Sequence, residues 1–364
     1  MVKALEPHFR IDLYCDNPDP MQELINEFSI YPVSVFPKLY DNYDEVIYQL
    51  GNNCNFHKRI YELAWNFPGT IVLHDYDLSG FLFESFYQSN GGKLYEQALL
   101  EGYGDEGGKA LQTILDGHAL DRSRFPMSHA IVGKSKRTIV HHRWVRDQFP
   151  ASRNIVVIPH FARLNYRPTV ADVEEFKSKF GIKDNRQVVC CLGFINRNKL
   201  PHLQIKVVQR LVRDGYPVQL VFAGEPASDL KLFDEIDDDS LKEIIIITGY
   251  LNEKDYFSAI FASDVIINLR NPTMGEASGT LMHALAAAKP TILSDVNQYK
   301  EFPDKVCWKV THDEHEAELL YEYLKALLSD RNLRAAISAN SSQYVESVLD
   351  FAKITAQWAQ MLSG

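Results

Sequence analysis

Short apolar runs alternate with stretches of helical periodicity along nearly the whole chain. That is the pattern of parallel α/β layers, in which strands covered on both faces read as continuous hydrophobic runs. In the first half, Arg10–Tyr14, Glu45–Tyr48, Thr70–Leu73, Ala130–Gly133, Thr138–Val140 and Ile155–Ile158 read as strands, and His57–Trp65, Leu94–Leu100 and Val170–Phe180 as helices. The second half is more regular. Val188–Leu192, Val218–Ala223, Ile244–Thr248, Val265–Leu269 and Thr291–Ser294 read as strands. His202–Asp214, Leu230–Asp237, Glu253–Ala262, Thr280–Ala288, Glu316–Ser329 and Asn332–Leu362 read as helical. The pattern is interrupted between Pro159 and Pro168. It divides the chain into an N-terminal domain of residues 1–165, a second domain of residues 166–345 and a final helical segment of residues 346–364. Within that last segment Phe351–Leu362 is amphipathic.

One stretch stands apart, Asn271–Asp295 (NPTMGEASGTLMHALAAAKPTILSD). Asn271, Pro272 and Gly275 break the preceding strand into a loop, and Ser278 and Gly279 open an Ala/Leu-rich helix. A strand, a loop of small residues and a helix N-terminus together make an anion site, because the first N–H groups of a helix lack partners and carry partial positive charge. Glu276 lies on that loop, where a carboxylate accepts hydrogen bonds from hydroxyls. A phosphate site beside an acidic residue suggests a sugar nucleotide.

This segment resembles the signature of the retaining family 4 glycosyltransferases, which have the GT-B fold. The resemblance implies two Rossmann-like domains whose parallel sheets face across a cleft, with the last helix crossing back to the first domain. It implies transfer of a hexose from a nucleoside diphosphate sugar, with UDP-glucose as the expected donor. The expected acceptor is a glycan or lipid-linked oligosaccharide, in bacterial or cyanobacterial exopolysaccharide or envelope synthesis. No bound metal is expected. Such enzymes resemble front-face catalysts, in which the departing phosphate oxygen helps take the acceptor proton and no protein nucleophile is required.

Residue by residue, Glu276 matches the glutamate that contacts the donor sugar, and Ala277, Ser278, Gly279 and Thr280 match the diphosphate-binding helix start. A second glutamate expected eight residues further on is replaced by Ala284, which leaves His283 as the candidate for the ribose. In Leu192–Lys199 (LGFINRNK), Gly193 and Lys199 match phosphate-binding positions. Phe194 stands where an arginine is usual, so Arg197 is the substitute candidate. Gly249 and Tyr250 match a nucleobase-reading turn. Arg270 ends a strand whose C-terminus should line a ligand crevice, and it either contacts phosphate or braces the loop. His74 matches a histidine that touches the donor sugar. Asp75 orients it or caps a turn, and Gly51, Asn52 and His57 shape the acceptor side. A short first strand with its Gly-rich loop, usual in the family, has no match ahead of MVKALEPHF: either the chain lacks it natively or the start is truncated, and that opens the alternative of a catalytically weak or inactive nucleotide-sugar-binding scaffold.

Composition narrows the field. Of 364 residues, 46% are hydrophobic, enough for sizeable cores, and the net charge of −10 argues against binding nucleic acid. No apolar run reaches the roughly 18–20 residues of a membrane span, and the start has no signal-peptide pattern. A cytoplasmic protein is expected, with peripheral contact at the inner face of the membrane where a lipid-linked acceptor would lie. Cys15, Cys54, Cys190, Cys191 and Cys307 lack metal-ligand spacing and read as reduced thiols. His141, His142 and His160 read as polar side chains near the domain junction rather than metal ligands.

Overall fold

The structure, a computed structural model, describes residues 1–16, 22–88, 92–151, 153–232 and 239–363. The chain divides into two compact units. The first comprises Met1–Pro159, Met274–Ala277 and Ala352–Gly364, and the second His160–Thr273 and Ser278–Phe351.

In the first unit, β1 (Asp12–Tyr14) and β2 (Ser29–Tyr31) form a small parallel pair. A separate sheet runs β3 (Ile47–Leu50), β4 (Thr70–Leu73), β5 (Arg137–Val140) and β6 (Ile155–Val157), all parallel and in sequence order. Its register aligns Leu50 with Leu73, and Leu73 with Val140. The next residue of each strand therefore falls in one row at the C-terminal edge. The helix Cys54–Asn66 starts at Asn53, whose side chain accepts from Asn55 N–H. Its Tyr61, Leu63 and Ala64 enter a core with Ile71, Leu73, Phe81, Phe86 and Val140.

Ala130–Gly133 is not a strand. It lies in the helix His129–Lys134, with Ala130, Ile131 and Val132 buried. A short apolar run suits a buried helix as well as a buried strand, and periodicity alone does not separate them. The segment Leu94–Leu100 belongs to a longer helix, Lys93–Leu115, whose path breaks at Gly104.

The second unit holds six parallel strands: β7 (Gln187–Leu192), β8 (Val218–Ala223), β9 (Ile245–Ile247), β10 (Val265–Asn268), β11 (Thr291–Ser294) and β12 (Cys307–Val310). Their spatial order is β12-β11-β10-β7-β8-β9. β7, β8 and β9 step to one side, after which β10, β11 and β12 step to the other. The order therefore reverses between β7 and β10. In open parallel sheets, ligands bind beyond the strand C-termini at such a switch point.

Helices cover both faces. Pro201–Arg213 and Glu316–Ser329 pack with one side of the sheet through Ile205, Val208, Leu211, Leu320 and Leu324. Phe176, Phe257 and Ile260, from the helices Val170–Phe180 and Glu253–Ala262, pack with the other side. The helical end of the chain is two helices, Arg331–Val348 and Phe351–Ser363. Of the expected helix Leu230–Asp237, residues 233–237 lie outside the described residues.

Candidate functional site

The loops after β7 and β10 flank the switch point of the second unit. After β7 the chain turns at Gly193, where φ is +76°. A Cβ there would lie 3.1 Å from Thr280 Cγ2 and 3.3 Å from Lys199 Nζ. Gly193 thus brings the β7 loop against both the lysine and the first turn of the helix Gly279–Ala286. Gly224, just past β8, seats this loop: a Cβ on it would fall 2.3 Å from Gly193 O. Lys199 is only 4% exposed and donates to Leu192 O. Ser278 is the N-cap of the helix, its Oγ accepting from Leu281 N–H at 3.3 Å. Thr280 Oγ1 donates to Asn268 Oδ1 at the end of β10, 3.2 Å away. Around Gly279, a Cβ would meet open space. Gly193, Lys199, Ser278, Gly279 and Thr280 thus gather at one end of the sheet.

The remaining candidates of this unit are more dispersed. Gly249 has φ of +68°, and Tyr250 N–H donates to Glu225 Oε2 at 3.1 Å, so Glu225 fixes this turn. The Tyr250 ring is 86% exposed and available to a flat ligand. Arg197 pairs with Asp229 on the exposed surface. Arg270 donates from its guanidinium to Leu269 O at 2.9 Å, and its N–H donates to Ser294 Oγ. His283 lies 3.1 Å from Tyr256 OH, and burial, assisted by nearby His160, holds its pKa below the ordinary histidine value.

In the first unit the aligned strand ends bring a second group together. Gly51 follows β3, His74 follows β4 and His141 follows β5. His141 Nδ1 lies 2.9 Å from Ile158 O, which makes it a donor there and leaves Nε2 as an acceptor. His74 Nδ1 is 3.3 Å from that Nε2, and His74 Nε2 is 2.7 Å from the Gln49 carboxamide. The chain Gln49–His74–His141–Ile158 therefore fixes the His74 ring.

Asp75 accepts from Asn52 N–H at 3.0 Å. Met274–Ala277 packs on the same edge: Ala277 N–H donates to His74 O at 3.0 Å, and Asp77 N–H donates to Met274 O at 2.9 Å. Glu276 Oε2 accepts from Met274 N–H at 2.8 Å. Burial, and then the negative charge of Glu276, push the Asp75 carboxyl up to about 7; the Asn52 N–H opposes the shift.

Sequence reasoning missed Glu225, Asn268 and Gly224. All three lie at or just past strand C-termini, a positional signal that the strand assignments already contained. Arg122 was missed too. It donates to Ser79 Oγ at 2.7 Å and pairs with Asp77, and nothing in the sequence around it points there. Among the described residues no group of three or more His, Cys, Asp or Glu is placed to hold a metal ion.

Residues 172–344 match the family model described as Glycosyl transferases group 1. No curated protein sequence matches the chain. Among solved structures, the chain resembles sucrose-phosphate synthase from Thermosynechococcus elongatus, with TM-score 0.66 and 14% identity over 99% of this chain and 90% of that one. It resembles Anabaena HepE in complex with UDP, with TM-score 0.65 and 14% identity over 94% and 88%. HepE in complex with UDP-glucose gives 0.59 and 15% over 87% and 99%. WaaG, a glycosyltransferase involved in lipopolysaccharide biosynthesis, gives 0.64 and 15% over 100% and 94%. The structural likenesses show a GT-B type α/β fold with two parallel-sheet units.

Proposed function

We propose that the protein is a retaining glycosyltransferase that moves a hexose from UDP-glucose to a glycan or lipid-linked acceptor in polysaccharide assembly. The observation that carries the reading is the convergence of Gly193, Lys199 and the Ser278-capped helix start at the switch point of the second sheet. Helix N–H groups, a glycine turn that admits close approach and a nearby ammonium are what a diphosphate needs. UDP is the nucleotide bound to Anabaena HepE; here the exposed Tyr250 ring beside Gly249 would flank the uracil.

When the bond from the anomeric carbon to the diphosphate breaks, its electron pair goes to the phosphate oxygen. Lys199 and the first N–H groups of the helix Gly279–Ala286 would stabilise that charge. Arg270 and Arg197 are further phosphate candidates, and His283 the ribose candidate. Glu276 would accept hydrogen bonds from sugar hydroxyls and His74 would contact the same sugar. Gly51, Asn52 and Asp75 are assigned to the acceptor side.

The test is Lys199→Ala assayed for release of glucose from UDP-glucose. The expected loss is roughly 10²–10³-fold in turnover, the effect of one transition-state donor. Unchanged turnover would remove Lys199 from the site.

A further inference from the structure

The C-terminal ends of β8 and β9 hold a carboxylate that has no part in phosphate binding. Glu225 follows Gly224 just past β8, and its main chain is tied to the loop after β7. Ile195 N–H donates to Glu225 O, and Ala227 N–H donates to Ile195 O, both at 2.8 Å. Its side chain is tied to the turn after β9, where Tyr250 N–H donates to Oε2 at 3.1 Å. Gly249, with φ of +68°, keeps that turn clear: a Cβ on it would stand 3.3 Å from the same oxygen. The residue is exposed, and among the described residues its Oε1 accepts no hydrogen bond from the protein. A carboxylate held at both its main chain and one oxygen, and open at the other, is placed to read the edge of a ligand.

We propose that Glu225 is the residue that selects the nucleobase, its open Oε1 accepting the N3–H of uracil. The proposal rests on the glycosyl-transfer reading above. Adjacent strands lie about 4.8 Å apart, so the end of β9 is roughly 10 Å from the end of β7, with β8 between them. A nucleoside diphosphate held by its phosphates at Gly193 and the start of the helix Gly279–Ala286 extends along that edge. Its base then comes over Glu225 and Tyr250. The Tyr250 ring, 86% exposed, covers a face of the base while Glu225 meets its edge.

The chemistry of the carboxylate decides which base fits, because an ionised carboxylate only accepts hydrogen bonds. Uracil offers one N–H, at N3, between two carbonyl oxygens. Cytosine presents a bare N3 at the same place, an acceptor facing an acceptor, and its amine lies to one side. Guanine offers two donors side by side, N1–H and the N2 amine, which suit a carboxylate open at both oxygens. Here Tyr250 N–H already occupies Oε2. One open oxygen matches one N–H, and that is the pattern of uracil.

The experiment is calorimetric titration of the full chain with UDP, CDP, GDP and 3-methyl-UDP, for the wild type and Glu225→Gln, with a melting curve of each protein. The wild type should bind UDP more tightly than GDP, and roughly 10–100-fold more tightly than CDP or 3-methyl-UDP, the range for a hydrogen bond to a charged group. In Glu225→Gln the amide oxygen stays on Tyr250 N–H and the NH₂ group faces the base. UDP affinity should then fall by roughly the same 10–100-fold. CDP, whose N3 accepts from that NH₂ group, should gain on UDP. A wild type that binds UDP no better than CDP, GDP or 3-methyl-UDP overturns the proposal and leaves the glycosyl-transfer reading standing. An unchanged ratio of UDP to CDP affinity in Glu225→Gln also overturns it, because Glu225 would then only support the turn. If the variant does not fold, the 3-methyl-UDP comparison on the wild type decides alone. A wild type that binds none of the four nucleotides defeats the glycosyl-transfer reading, and the base-selecting role falls with it.

Discussion

Glu276 bears on its neighbours in two ways: its carboxylate would hold donor hydroxyls, and its charge helps keep the proton on Asp75. Glu276→Gln should therefore lower turnover and also lower the Asp75 pKa. A wild-type rate would remove the first role, and an unchanged Asp75 titration the second. Asp75 also makes a stability prediction. Its pKa is raised from 3.8 to about 7 in the folded protein, so the native state binds this proton more tightly than the unfolded chain does. The resulting stability is fully present below pH 3.8 and is lost as pH rises through about 7. Asp75→Asn cannot ionise. It should melt above the wild type at pH 8, with the difference closing toward pH 4; equal melting temperatures at pH 8 would contradict the shift.

Individual residues were legible where local chemistry left a mark. Glu276, Ser278 and Gly279 sit in a loop-to-helix junction that the sequence displays. Glu225 and Asn268 did not stand out, because their importance depends on which strand ends become neighbours.

At the scale of elements, the helix Gly279–Ala286 and the loops after β7 and β8 shape the second unit's candidate site. Ser278→Ala removes the N-cap acceptor and should cost about 1 kcal/mol of stability together with part of the UDP affinity. Thermal melting and calorimetry on the same sample separate the two effects. Gly224→Ala places a Cβ 2.3 Å from a main-chain oxygen, so one of the two loops must move. The expected cost is about 1–3 kcal/mol, and the displaced Gly193 should weaken UDP binding further. A variant as stable as the wild type would show that the loops yield freely.

Elements of the second unit were legible because each long apolar run is bounded by turn residues. Val218–Ala223, Glu253–Ala262, Thr291–Ser294 and Glu316–Ser329 have the bounds that the pattern predicts. The first unit was less legible. Its Ala130–Gly133 run is too short to carry a period, and the strand Ser29–Tyr31 is three residues long with an exposed first residue. In the second unit, Cys307–Val310 escaped for a related reason: its burial is uneven, and a lysine interrupts the apolar run.

At the scale of the whole molecule, the alternation of strands and helices fixed the α/β class, but strand order did not follow from it. The switch point between β7 and β10 depends on β10 pairing with β7 rather than with β9, a choice made by packing across the sheet. No helix among the described residues is long and apolar enough to cross a membrane. All five cysteines are free thiols, and Cys190, Cys191 and Cys307 are buried. The melting temperature should therefore be unchanged by reductant, and a fall on adding dithiothreitol would contradict the free-thiol assignment.

The most direct test of the account is calorimetric titration of the full chain with UDP, GDP, UDP-glucose, UDP-N-acetylglucosamine and GDP-mannose, followed by a hydrolysis assay of each sugar nucleotide that binds. The account predicts that UDP and UDP-glucose bind, and that UDP-glucose is slowly split to UDP and glucose. If none of the five binds, the assignment of the Gly193 and Ser278 loops to a nucleoside diphosphate is wrong.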